Sequence, residues 1–212
     1  MLNMDPLTLV ARLLTLVISL TFHEFAHAWT AHQFGDDTAR AAGRMSLNPL
    51  VHLDPIGSIM LIVAGFGWAK PVPVNPYALK KRSGLMWVSL AGPLSNFLLA
   101  LIAIVPIRLN LIPLGELFSN TFIGTFLLQF IIINLSLMLF NLLPIFPLDG
   151  EKIASYAWPP AWSNVLEKIS RFGPILLLVV WFGPYIGLNI FGAVIQPPLM
   201  NLLTLMMGYP LF

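Results

Sequence analysis

From Leu7 to Phe34 the chain runs without a single proline or glycine, and most of the stretch is apolar. Its length and periodicity predict one long helix. Its first part, LTLVARLLTLVISLTF, has the character of a bilayer crossing, which takes about 20 residues. The same helix then carries HEFAH, so that His23, Glu24 and His27 lie roughly 24 Å along it at the standard rise. This feature restricts the fold more than any other. Two imidazoles and a carboxylate in an apolar helix are costly in hydrocarbon unless they serve a site.

The rest of the sequence is consistent with that setting. Of 212 residues, 58% are hydrophobic and 9% charged, whereas a soluble domain is about 25% charged. The expected fold is an all-α polytopic membrane protein: a bundle of about 5–6 transmembrane helices with a re-entrant segment and a short strand-like hairpin. We expect residues 1–212 to form a single membrane-embedded domain, with a catalytic core at about 7–155 and C-terminal helices at about 161–212. The net charge of +2 comes from basic residues scattered between apolar runs, which reads as a topology signal and not as a nucleic-acid surface. Without cysteine there are no disulfides and no thiolate ligands. The N-terminus lacks a basic leader region, so its apolar segment is expected to be retained.

After the first helix, PIGSIMLIVAGFGW is too short for an ordinary crossing and suggests a re-entrant segment. The alternate prolines of AKPVPVNP forbid a helix and suggest an extended strand or hairpin. Spans follow at about Gly84–Ile107 and Thr121–Ile145, and Ala161–Phe172 could lie along the interface as an amphipathic helix. The remainder is cut by Gly173-Pro174, Gly183-Pro184 and Pro197-Pro198. It fits either one crossing plus a half-helix or two short crossings. Nine of the eleven basic residues fall on one side of this layout, leaving Arg12 and Arg108 towards the other. The positive-inside bias makes the richer side cytosolic, with the N-terminus extracytosolic and His23–His27 in the cytosolic half.

His23 and His27 are i and i+4, so both imidazoles leave one helix face and can share a metal ion. Glu24 beside them can act as the base for water activated by that metal. Zinc suits two imidazoles without thiolates. A catalytic zinc needs a third protein ligand, and Asp149 in LPIFPLDG is the most plausible of the nine acidic residues. Its prolines break the preceding span, and irregular backbone at membrane depth is tolerated where it lines a cavity. Taken alone, Asp149-Gly150 would read as an ordinary turn.

HEFAH, AGPLSN and NLLPIFPLDG, in this order, resemble the site-2 proteases, which are intramembrane zinc metalloproteases. GRMSLNPLVHLDPIGS and GWAKPVPVNP resemble their short branch without PDZ or CBS domains. The resemblance covers roughly residues 15–155. It implies that His23, His27 and Asp149 bind one Zn2+ and that Glu24 is the general base. It also implies that Asn96 and Asn141 position substrate or active-site backbone, and that the substrate is a transmembrane helix cut near the cytosolic side. Many members read L-D-G-G where this chain has Glu151.

Other residues carry weaker signals. His52 could serve proton transfer, or be a polar interface residue. His32 suits the C-terminal dipole of its helix, and Gly92 and Ser95 suit close helix packing. The segment with Pro71 and Pro73 could pair with an unwound substrate by strand addition. Two other functional classes remain. A zinc transporter would need a further ligand-rich helix, yet His52 is the only histidine outside the first span. A catalytically inactive membrane scaffold would have no need to keep His23, Glu24, His27 and Asp149 together.

Overall fold

The computed structural model describes residues 4–64, 67–119 and 121–208. Four of its helices are long and apolar enough to cross a membrane: α1 (Pro6–Gln33), α4 (Gly84–Arg108), α5 (Phe122–Asn141) and α9 (Ile190–Met207). Between them lie α2 (Thr38–Ala41), α3 (Pro55–Ala64), α6 (Asp149–Ala157), α7 (Ser163–Arg171) and α8 (Gly173–Phe182).

The start of α1 is built by Asp5, whose carboxylate accepts from Thr8 N at 2.9 Å, with Pro6 in the first turn. Its end is set by Gly35 at φ 99°, a conformation that only glycine enters without strain. Along α1 a buried row recurs every four residues: Ala11, Thr15, Ser19, His23, His27 and Ala31. The small members of that row let α4 and α5 approach closely, and the two histidines continue it into the protein interior.

Away from the histidines the bundle is closed by an apolar core. Ala100, Ala103, Ile104 and Ile107 of α4 pack there with Phe130, Ile131 and Leu135 of α5 and Leu199, Leu203 and Met207 of α9. Arg108 ties α4 to α9 by donating from Nη1 to the Met207 carbonyl at 2.5 Å, a cation on helix-end carbonyls. The hydrophobic core and the polar cluster thus occupy different halves of α4, with Gly92 and Asn96 in one and Ala100 to Ile107 in the other.

Two expectations are corrected. Among the described residues four helices, not five or six, are long and apolar enough to cross a membrane. The C-terminal tract resolves into a half-helix plus one crossing. Gly183-Pro184 ends α8 after 10 residues, about 15 Å of rise, whereas α9 accommodates Pro197 and Pro198 within it. The strand-like hairpin is absent as well, since no strand forms among the described residues. Prolines 71 and 73 cannot donate to a ladder, and the amides near them are used otherwise. Lys70 N donates to His52 O at 2.7 Å, Val72 N to Glu24 Oε2 at 3.1 Å, and Asn75 N to Asp36 Oδ2 at 2.7 Å. A single antiparallel bridge, Leu53 with Ala69, brings together the two ends of the segment containing α3.

Candidate metal centre

His23 and His27 of α1 meet Asp149 in the first turn of α6. The Nε2 atoms are 3.0 Å apart, and each lies 3.2 Å from Asp149 Oδ2. All three residues are buried, with 5%, 7% and 8% exposure.

The tautomers follow from what stands behind each ring. His23 Nδ1 lies 2.7 Å from Asn96 Oδ1. The Asn96 amide faces two acceptors, donating from Nδ2 to Ser19 O at 3.2 Å and to Asn134 Oδ1 at 2.9 Å. This fixes its oxygen towards His23, so His23 Nδ1 must be the donor. His27 Nδ1 faces the Val88 carbonyl at 2.7 Å and must also donate. Neutral rings held this way direct both Nε2 lone pairs at the carboxylate oxygen. With both rings neutral, the three ligand atoms lie close enough to one another to hold a metal ion.

The spacing fits zinc. Ligand atoms at about 2.0–2.1 Å from a tetrahedral ion stand roughly 3.3 Å from one another, close to the 3.0–3.2 Å seen here. The histidine partners are of the kind that orient metal-bound imidazoles. Gly92 supplies the remaining room: a Cβ there would lie 2.3 Å from His27 Nε2 and 2.6 Å from His23 Nε2. This glycine, assigned to helix packing from sequence, is the bare wall of the centre. One residue later, Pro93 deprives the Ser89 carbonyl of its helical donor, in the turn where the Val88 carbonyl accepts His27.

The LPIFPLDG stretch delivers Asp149 through a broken backbone. Residues 142–148 are irregular and include a cis Phe146–Pro147 bond. Asp149 then opens α6, where a carboxylate suits the helix dipole. A Cβ on Gly150 would lie 2.3 Å from Leu143 O and 2.4 Å from Leu142 O, which accounts for the glycine after the aspartate. Glu151, in place of a second glycine, is absorbed into α6, and its backbone carbonyl accepts from Ser155 Oγ at 2.8 Å.

Glu24 points into a cavity of about 660 Å3 that is also lined by His23, His27, Asp149, Asn141 and Pro71. Its carboxylate is held by Val72 N, the amide between Pro71 and Pro73. That segment is in turn held from behind by buried Arg44, which donates to Lys70 O and, at 3.3 Å, to Pro71 O. His52 completes the support. Its Nδ1 faces Arg44 Nη2 at 3.5 Å, its Nε2 donates to Ser46 O at 2.7 Å, and its carbonyl accepts Lys70 N.

Of the residues singled out from sequence, His23, His27, Asp149 and Asn96 are therefore in direct contact. Glu24 and Asn141 share their cavity, although the Asn141 amide bonds to Leu137 O of its own helix at 3.0 Å. Pro71 lines the cavity, and His52 stands behind the loop. His32 pairs with Asp37 at 2.6 Å, away from the centre. Asn134 was missed. It is fully buried, orients Asn96, and donates to Phe130 O at 2.8 Å. The signal available for it was a lone amide in the apolar run IIINLSLML.

Comparison with known proteins agrees with this chemistry. The description "Peptidase family M50" matches residues 11–180. A Bacillus subtilis protein named "Putative zinc metalloprotease YwhC" is 44% identical over 183 residues, spanning 84% of each chain. "Putative zinc metalloprotease Rip2" of Mycobacterium tuberculosis is 32% identical over 184 residues, 84% of this chain and 69% of that one. "Putative zinc metalloprotease MJ0611" of Methanocaldococcus jannaschii is 30% identical over 183 residues, 84% and 85% of the two chains. No solved structure matches.

Proposed function

The chain belongs to peptidase family M50, and from that premise we propose that it hydrolyses a peptide bond in or near a transmembrane helix of a membrane protein. One observation carries the reading. His23 Nε2, His27 Nε2 and Asp149 Oδ2 converge at 3.0–3.2 Å within a bundle of membrane-length helices, beside a cavity that also admits Glu24.

In this reading the three residues hold one Zn2+, which when bound supplies Lewis acidity to the scissile carbonyl and to the attacking water. Glu24 takes the proton from that water and passes it to the leaving amide nitrogen. Val72 N–H keeps the carboxylate turned towards the cavity until substrate arrives. Asn96 and the Val88 carbonyl keep both Nδ1 atoms protonated, so that both Nε2 atoms stay basic. Asn141 lines the cavity, and in this reading the amide hydrogen not given to Leu137 O serves a substrate carbonyl.

The basic-residue distribution supports an extracytosolic N-terminus and a centre in the cytosolic half of the membrane. We treat residues 1–212 as one protease unit, with residues 7–155 carrying the chemistry and the helices after 161 completing its wall. The extended segment around Pro71 and Pro73 offers backbone for pairing with an unwound substrate. Replacing both prolines by alanine should change cleavage at normal zinc content, and unchanged cleavage would rule that pairing out.

The decisive test is Glu24→Gln, purified in detergent and assayed on single-span substrates. Cleavage should fall by roughly 10²–10⁴-fold, the usual contribution of a positioned base, with zinc retained. Undiminished cleavage would show that Glu24 is not the base.

A further inference from the structure

Arg12 is a charged residue that this mechanism leaves unused; Lys152, three residues after Asp149, lines the same cavity and is another. Arg12 lies on α1, 11 residues before His23, which is three turns and about 16 Å along the same helix face. Arg12 lines the same cavity as His23, Glu24 and Asp149. Between the two ends the cavity walls are mainly apolar, with Leu16 and Leu20 of α1 and Ile132, Ile133 and Leu137 of α5, and Ser136 as a polar exception. Gln129, near the start of α5, is a second polar lining residue.

The guanidinium lacks a counter-charge among the described residues. Its Nη1 reaches only the weak acceptor Met4 Sδ, at 3.9 Å, and its buried Nε has no partner. The acidic residues at the corresponding helix ends are occupied: Asp5 accepts from Thr8 N, and Glu116 accepts from Thr121 Oγ1. A cation within a membrane-length helix is costly unless it serves a site, and this one lines an apolar groove that ends at the metal centre. Charge complementarity identifies the occupant.

We propose that Arg12, assisted by Gln129, recognises a carboxylate side chain on the membrane segment of the substrate, and so sets which peptide bond reaches Glu24. This rests on the protease reading above. A distance of about 16 Å corresponds to roughly 11 residues of helix or about 5 of extended chain. The acidic residue therefore lies about 5–11 positions from the cleaved bond, fewer as more of the segment unwinds. A bidentate guanidinium–carboxylate pair in an apolar groove is the geometry for which arginine is suited.

The test uses synthetic Leu/Ala single-span peptides carrying one Glu, or one Gln, at successive positions along the helix. Binding is measured to the full chain bearing Glu24→Gln in nanodiscs, and cleavage with the parent chain. In one narrow window the Glu peptide should bind at least about tenfold more tightly than its Gln twin, as expected for a charge-assisted bond. Adding Arg12→Gln should abolish the preference while zinc content stays normal. Arg12→Glu should transfer it to the matching Lys peptide. Products of the parent chain should place the cut 5–11 residues from the Glu.

Equal binding of Glu and Gln peptides, or no binding of any, overturns the proposal. So does a preference that survives Arg12→Gln, or one that follows the peptide's terminal carboxylate instead of its side chain. An Arg12 effect that depends on anionic lipid and not on the peptide also overturns it, making Arg12 an interfacial anchor. The two readings fail separately. The expected binding pattern without cleavage removes the protease reading alone, and cleavage indifferent to Glu removes the role of Arg12 alone.

Discussion

His23 and Glu24 are adjacent in sequence and are supported in opposite ways. His23 is held from inside the bundle, by Asn96 of α4 and through it by Asn134 of α5. Glu24 is held from outside, by the single amide of Val72 in a proline-bounded loop that rests on Arg44. The metal side is built from helices whose polar partners, Asn96 and Asn134, are fully buried. On the Glu24 side a loop reaches the carboxylate through one backbone amide. In the proposed reading, rigidity lies where ligand geometry must not vary and freedom where a proton has to move.

The comparison can be broken on the metal side first. Asp149→Asn removes the anionic ligand without changing shape, so zinc content and cleavage should both be lost, and metal analysis with a peptide assay reads this directly. A variant that keeps its zinc would show that Asp149 is not a ligand. Next in size, Asn96→Ala leaves His23 free to rotate and should weaken zinc affinity by roughly 10–100-fold, as for other groups that orient metal-bound histidines. Asn134→Ala should cost less, since it acts one bond further away. Competition with a chelator measures both, and a reversed order would contradict the relay from Asn134 through Asn96.

The base side should respond differently. Arg44→Met keeps the bulk but releases the Lys70 and Pro71 carbonyls. Cleavage should drop by about tenfold, the worth of one charge-assisted hydrogen bond, while zinc affinity stays as in the parent. If zinc affinity fell in step with activity, the loop would be part of the metal site and the contrast would disappear.

How much of this could be read in the chain depended on how local the physics was. HEFAH was legible because a helix brings i and i+4 together whatever surrounds it. Asp149 was legible because the donor set was incomplete and few residues could complete it. The hairpin expected at AKPVPVNP did not form, because its free amides found Glu24, Asp36 and the His52 carbonyl, partners distant in sequence. Asn134 and Arg44 carried no spacing that distinguishes a support from a solvated side chain. Gly92 was seen as small, but what it makes room for could not be known before the histidines were placed against α4. At the C-terminus two proline-containing dipeptides act differently: Gly183-Pro184 ends α8, whereas Pro197-Pro198 lies inside α9.

The convergence of α1 with α6 also has a consequence in time. At common synthesis rates of about 5–20 residues per second, Asp149 leaves the ribosome roughly 6–25 s after His23. Throughout that interval the first helix carries two imidazoles without the carboxylate, and for the earlier part of it without Asn96 and Asn134 as well. The three-residue donor set is therefore complete only late in biogenesis, after α6 has joined α1.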